Sequence, residues 1–122
     1  MKTAAVVPVH DGRGWLPECL AGLAGQGFDV VVVVDDGSRD GTAAWLADEH
    51  PGVRLASTGT GAPHGFAVAA QAGIDAAGDA DAVALVNADV VLRPGWLDAA
   101  RAGLASGPSV GSVAGKMLRR HA

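Results

Sequence analysis

Two hydrophobic patterns alternate along the chain, short apolar runs and segments in which apolar residues recur every three or four positions. Short continuous apolar runs, bounded by Gly, Pro, Asp or Asn, are typical of strands covered on both faces. Such runs predict strands at Thr3–Val9, Phe28–Val34 and Ala82–Val86, and the less apolar segments Val53–Ala56 and Val110–Ala114 are also expected to be strands. The second run ends in five consecutive valines and has no polar face there, which indicates a central strand of a parallel sheet.

Between these runs, apolar residues recur at the three- and four-residue spacing of helices. Four helices are predicted, at Trp15–Ala24, Thr42–Glu49, Gly65–Ala77 and Trp96–Ala105. Strand and helix alternate with short links, which is the pattern of a parallel sheet with right-handed crossovers. The expected fold class is therefore α/β, a Rossmann-like α/β/α sandwich with a mostly parallel sheet.

Length and composition narrow the class of protein. The chain has 122 residues, so one domain spanning residues 1–122 is expected. The formal net charge is −4 and basic residues are scattered apart from Lys116, Arg119 and Arg120, so no nucleic-acid partner is expected. No apolar run reaches the roughly 18 residues of a transmembrane segment. With no recognisable signal peptide and the single cysteine Cys19, a cytoplasmic, reduced protein is expected.

Polar side chains stand directly after three of the predicted strands, and they are His10, Asp11, Asp35, Asp36, Asn87 and Asp89. In an open parallel sheet, the carboxyl ends of the strands lie at one edge, where ligands bind. Acidic loops that meet there suggest a hard divalent cation such as Mg²⁺, whose shell a diphosphate would complete. A nucleotide ligand is therefore favoured over a permanent metal cage. Asp40, just before the second helix, is expected to cap that helix.

Four segments give the chain a resemblance to a known family. Val6–Asp11 resembles an opening strand with a Pro-Thr-Tyr-Asn-like end, and Val31–Thr42 is close to "VVVDDGSTDGT". Gly65–Ile74 is similar to "GFAAARNAGI", and Leu85–Asp89 resembles the "LLNPD" variant of the DxD motif. In this order they resemble the N-terminal, nucleotide-binding half of a family 2 glycosyltransferase with the GT-A fold. The resemblance covers nearly the whole chain.

The resemblance implies roles for individual residues. Asp36 would hydrogen-bond the nucleotide base, and His10 would pack on it. Asp89, the last residue of the DxD-like triplet, would ligate the Mg²⁺ or Mn²⁺ that bridges the diphosphate. The other residues implied in the nucleotide-sugar site are Pro8, Asp11, His64, Gln71, Asn87 and Ala88.

The same resemblance implies a second half that this sequence does not match. In the family that half builds the acceptor site and supplies the Asp or Glu base of an inverting reaction. No catalytic residue is identified here, and the base is expected beyond residue 122. The chain is therefore expected to be a truncated donor-binding domain, with an unknown acceptor and poor or absent transfer. Apolar surface around Trp96 and the last strand is expected to form a homodimer.

Three alternatives stay open at this point. Gly12-x-Gly14 partly matches a dinucleotide-binding fingerprint, but Pro17 stands where its third glycine belongs. Ser38–Thr42 resembles the DxDGT motif of haloacid dehalogenase phosphatases, but Ser38 replaces the nucleophilic aspartate. The third alternative is a non-catalytic α/β nucleotide-binding or assembly module.

Overall fold

Four strands and four helices alternate in a computed structural model, which describes residues 1–59 and 61–115. In chain order they are β1 (Thr3–Val9), α1 (Leu16–Ala24), β2 (Val30–Asp35), α2 (Thr42–Glu49), β3 (Arg54–Ser57), α3 (Phe66–Ala76), β4 (Ala82–Leu85) and α4 (Trp96–Ala105). Eight of the predicted elements are thus confirmed, with their ends shifted by at most two residues.

The four strands form one sheet in the order β3-β2-β1-β4, and every pair is parallel. In the register of the sheet, Val6 of β1 lies between Val32 of β2 and Leu85 of β4. The valine run occupies an inner strand, and Val32, Val33 and Val34 are fully buried. The expected α/β class with a parallel sheet is confirmed.

Helices cover both faces of the sheet. Successive residues of a strand point to opposite faces, so Val6 and Val7 belong to two different apolar clusters. The cluster around Val7 packs against α1 and α2 through Leu16, Leu20, Leu23 and Leu46. The cluster around Val6 packs against α3 through Ala69 and includes Ala77, the residue that follows α3. The molecule is therefore the expected three-layer sandwich.

Helix α3 approaches the sheet unusually closely because a glycine faces it. A Cβ atom added at Gly73 would lie 2.1 Å from Cγ1 of Val6 and 2.9 Å from Cγ2 of Val34. These distances are too short for any real side chain, so the backbone of α3 rests directly on the two central strands.

The prediction of a fifth strand at Val110–Ala114 is wrong. Residues 110–115 form no strand, and instead they lie along α4. A Cβ atom added at Gly103 would be 2.9 Å from Cγ1 of Val113, and one added at Gly115 would be 2.5 Å from Nε1 of Trp96. Glycine weakens strands, and here packing on the helix replaces strand pairing. The basic residues Lys116, Arg119 and Arg120 lie outside the described part of the chain.

Candidate functional site

Loops from all four strands meet at the carboxyl edge of the sheet, as expected for parallel strands. The loops after β2 and β3 touch at Gly37, where an added Cβ would lie 2.8 Å from the carbonyl oxygen of Gly61. Gly37 has φ 71°, in the left-handed region that glycine tolerates. The loops after β1 and β4 approach at Gly12, where an added Cβ would lie 3.6 Å from Cβ of Ala88.

Asp36 is the central polar residue of this edge. It is only 5% exposed. Its Oδ1 accepts hydrogen bonds from Thr58 Oγ1 at 2.6 Å and from the backbone N–H of His64 at 2.7 Å. Its Oδ2 accepts one from the N–H of Gly65 at 3.0 Å. A carboxylate has about four acceptor positions, so within residues 1–59 and 61–115 three donors occupy all but one of them, which is on Oδ2.

The surroundings of Asp36 keep its carboxyl group ionised. Burial raises the pKa of this carboxyl, but the hydrogen bonds from His64, Thr58 and Gly65 outweigh burial, and the net pKa is lower than usual. Gly65 immediately precedes α3, so the carboxylate also lies at the positive end of a helix dipole. The site therefore presents a fixed negative charge at neutral pH.

The loop after β1 is joined to the loop after β2 by several hydrogen bonds. A ring N–H of His10, at Nδ1, donates to the carbonyl oxygen of Asp36 at 2.9 Å. The N–H of Asp11 donates to Oγ of Ser38 at 3.0 Å, and Oδ1 of Asp11 accepts from the N–H of Arg39 at 2.6 Å. Asp11 has φ 49°, which is unusual for a residue with a side chain. These contacts hold His10 and Asp11 beside Asp36.

The DxD-like triplet forms an exposed turn after β4. The N–H of Val90 donates to the carbonyl oxygen of Asn87 at 3.0 Å, and both Asn87 and Asp89 are exposed. Within residues 1–59 and 61–115, no group of three or more His, Cys, Asp or Glu side chains could hold a metal ion. Asp89 offers one carboxylate, which fits a hard cation that a substrate diphosphate also ligates. It does not fit a cation held by protein ligands alone.

Two of the sequence-predicted residues stand apart from this cluster. Pro8 is half-buried within β1, opposite Val34 of β2 and next to the end of the strand. Gln71 is exposed on α3, where its Nε2 donates to Oδ1 of Asp75 at 2.9 Å. It lies six residues along the helix from Gly65, about 9 Å at the usual helical rise. The structure thus brings His10, Asp11, His64 and Asp36 together, and it leaves Gln71 away from them.

Sequence analysis missed the two hydroxyl groups that support this cluster. Thr58 donates to Asp36, and Ser38 accepts from Asp11. The available signal was positional, because each hydroxyl follows a predicted strand at the same edge of the sheet. Type and spacing alone could not separate Thr58 from the other small polar residues of its loop.

An all-parallel α/β/α sandwich with a polar carboxyl edge is Rossmann-like, and solved GT-A glycosyltransferases match the chain. The mannosyltransferase PcManGT from Pyrobaculum calidifontis, in complex with GDP-Man and Mn²⁺, is 26% identical, with a TM-score of 0.75. The match covers 90% of this chain and 34% of PcManGT. S. aureus TarS in complex with UDP is 25% identical, with a TM-score of 0.63. The match covers 87% of this chain and 32% of TarS 1–349. Glucosyl-3-phosphoglycerate synthase from Mycobacterium tuberculosis, in complex with UDP, shares the fold with a TM-score of 0.68 at 18% identity. The match covers 88% of this chain and 41% of the synthase.

The sequence matches the profile of glycosyl transferase family 2 over residues 4–118, and the chain belongs to this family. The chain spans between about a third and two fifths of the length of these solved structures. None of the curated proteins matches it. No helix in the described part of the chain is long and apolar enough to cross a membrane. Family membership decides against the dinucleotide-binding and phosphatase alternatives.

Proposed function

We propose that this chain binds a nucleotide-diphosphate sugar at the carboxyl edge of its sheet, with a divalent cation, and provides the donor side of an inverting hexosyl transfer. The observation that carries the proposal is the ionised, buried carboxylate of Asp36 at the meeting point of three loops, with one acceptor position left. The complexes of PcManGT with GDP-Man and Mn²⁺ and of TarS with UDP support it.

In this proposal each loop contributes a different contact. Asp36 accepts an N–H of the base, and the ring of His10 packs on the base, with Pro8 lining the same pocket. Asp89 ligates Mg²⁺ or Mn²⁺, which when bound offsets the charge of the diphosphate leaving group. The remaining contacts with the nucleotide sugar are assigned to Asp11, Gln71, Asn87 and Ala88.

The proposal assigns no general base to this chain. In an inverting reaction, a base must lie within hydrogen-bond reach of the acceptor hydroxyl proton. Neither the carboxylate of Asp36, which is committed to three donors, nor the metal ligand Asp89 is suited to that role. We therefore expect the base and the acceptor site outside residues 1–122, so that this chain binds the donor without transferring the sugar. Detectable transfer by the chain alone would contradict this part.

Nucleotide binding is expected to depend on a divalent cation and on Asp89. Calorimetric titration with UDP, GDP and dTDP, each with and without Mn²⁺, should show one nucleotide that binds at least about tenfold more tightly with the cation. In Asp89→Ala the cation should no longer improve affinity, because the protein's carboxylate ligand is gone. Asp48→Ala is the matched control, since Asp48 is an exposed acid in the last turn of α2.

Two results separate the proposal from its alternative. Cation-dependent binding in the wild type that Asp89→Ala abolishes supports the donor site. If no nucleotide binds under either condition, the proposal fails and the non-catalytic assembly module becomes the better interpretation.

A homodimer and a cytoplasmic location stay predictions from the sequence. The last strand, which the sequence predicts to form the dimer surface together with the region around Trp96, is not present at Val110–Ala114. Among the described residues β4 is paired on one side only, and Leu85 at its end is 49% exposed. An open strand edge with apolar side chains favours association. Light scattering over a range of concentrations should therefore show a dimer, and a monomer at the highest concentration would contradict it.

A further inference from the structure

The carboxylate of Asp40 joins two different loops at the carboxyl edge. Its Oδ1 accepts from the N–H of Thr42 at 3.2 Å and also from the hydroxyl of Thr42. Its Oδ2 accepts from the backbone N–H of Arg13 at 3.0 Å. The prediction that Asp40 caps α2 is wrong, because the cap residue is Gly41 and no side chain caps the helix. Asp40 stands one residue earlier and accepts from Thr42, the first residue of α2. The second oxygen, however, reaches the loop after β1.

The side chain of Arg13 makes a second contact, independent of the one between its backbone and Asp40. Its guanidinium carbon lies 5.4 Å from the ring centroid of Trp45, a cation–π distance. Trp45 belongs to α2 and also meets the ring of His50 edge-on at 4.9 Å between centroids. Arg13 is thus fixed through its backbone by Asp40 and through its side chain by Trp45, and we call this pair the Arg13 clamp.

The Arg13 clamp lies next to the residues that the proposed donor site uses. Arg13 follows Asp11 by two residues, and Asp11 has the left-handed φ of 49°. A backbone in this region returns to ordinary conformations unless its neighbours are held. On one side, Asp11 is held by Ser38 and Arg39. On the other side, the Arg13 clamp supplies the matching restraint.

We propose that Asp40 is a positioning residue for nucleotide binding, which acts through Arg13 to hold His10 and Asp11 against the loop that carries Asp36. The inference rests on the proposed function. It assigns to Asp40 no contact with the nucleotide or the cation.

The charge of Asp40 suits this role. Burial raises the pKa of its carboxyl, but the hydrogen bonds from Thr42 and Arg13 outweigh burial and leave the pKa below the usual value. Both oxygens are therefore acceptors at neutral pH, and hydrogen bonds to a carboxylate are stronger than those between neutral groups.

The test compares Asp40→Ala with Thr42→Val. Asp40→Ala removes the contacts to both Thr42 and Arg13, whereas Thr42→Val removes only a hydroxyl bond at the start of α2. Calorimetry with UDP, GDP and dTDP in Mn²⁺ should show affinity about tenfold weaker for Asp40→Ala, and within about twofold of wild type for Thr42→Val. Melting temperatures of both variants show how much of each change reflects overall stability.

Amide hydrogen exchange of the free protein separates the role of Asp40 from an effect on helix stability. A change in the stability of α2 alone would not alter the exchange rates of residues 10–13. In Asp40→Ala, the amides of residues 10–13 should exchange at least about tenfold faster while those of β1 stay protected. In Thr42→Val, the amides of residues 10–13 should keep their wild-type rates. If Asp40→Ala does not fold, Trp45→Leu loosens the same clamp from the side chain of Arg13, and the same result is expected.

The outcomes separate the two proposals. If the wild type binds a nucleotide and Asp40→Ala binds it with the same affinity, the role of Asp40 is overturned and the donor site stands. The same holds if Thr42→Val loses as much affinity as Asp40→Ala. Unchanged exchange at residues 10–13 in Asp40→Ala also overturns it. Absence of nucleotide binding in the wild type overturns the proposed function, and the role of Asp40 falls with it.

Discussion

Gly73→Ala is expected to lower the free energy of unfolding by about 2–3 kcal/mol, because the new methyl group overpacks the core. The added Cβ would lie 2.1 Å from Val6 and 2.9 Å from Val34. Helix propensity alone predicts the opposite sign, since alanine is better than glycine in a helix by about 1 kcal/mol. Steric overlap with two fully buried valines is the larger effect, and urea denaturation of both proteins measures the difference.

A matched glycine and a compensating substitution make this result specific. Gly25 follows α1 with an ordinary φ of −85°, and an added Cβ there meets nothing within 4 Å. Gly25→Ala should therefore leave stability unchanged or slightly higher. Shortening Val6 to alanine should make room for the methyl at position 73, so the double variant should lose less stability than the sum of the two single variants. Additive losses, or a stabilising Gly73→Ala, would refute the close contact of α3 with the sheet.

Asp36→Ala is expected to abolish measurable nucleotide binding, because it removes both the oxygen assigned above to the base and the acceptor that holds the loop between β3 and α3. The hydroxyl of Thr58 and the N–H groups of His64 and Gly65 lose their partner. A stability loss of about 2 kcal/mol is expected with it, since these donors can be partly rehydrated. Asp35→Ala is the control, as Asp35 accepts one bond, from the N–H of Ser38. It should retain nucleotide affinity within about threefold.

The stability loss in Asp36→Ala should also depend on pH. The pKa of Asp36 is lowered in the folded protein. Its carboxylate therefore stabilises the fold fully above the pKa of the unfolded chain, and this contribution is lost as the pH falls through the lower folded value. The difference in unfolding free energy between wild type and Asp36→Ala should be largest near neutral pH and should shrink below about pH 4. A difference that stays constant into acid would show that the charge of Asp36 does not carry the effect.

Most of the fold could be predicted because the deciding interactions are local. An apolar run such as Val30–Val34 can only be a strand covered on both faces, and the alternation of strands with helices then sets the parallel sheet. The segment at Val110–Ala114 also carries two valines, but glycine and serine between them make the local pattern weak, and its environment differs. Its structure depends on a surface of α4 that glycine at position 103 leaves open. No local pattern records that contact.

The candidate site could likewise be predicted only in part from the sequence. Parallel topology places His10, Asp11 and Asp36 at one edge, so their proximity could be inferred from strand ends alone. The donor that holds Asp36 could not, since Thr58 is 22 residues away and its approach depends on loop conformation. Gln71 shows the limit of carrying a role by position, because its side chain bonds along the helix surface to Asp75. Its role in donor binding stays a prediction.

The central place of β1 has a consequence for how the chain folds. Strand β1 pairs with β2, where Ala4 faces Val30, and with β4, where Thr3 faces Ala82. The first pairing closes a short loop, but the second must wait for a segment near the end of the described chain. Until then, one edge of a fully apolar strand is open to other copies of the chain. Parallel pairings between distant segments also form slowly. Competition between completing the sheet and aggregating is therefore greatest early in synthesis, before β4 has left the ribosome.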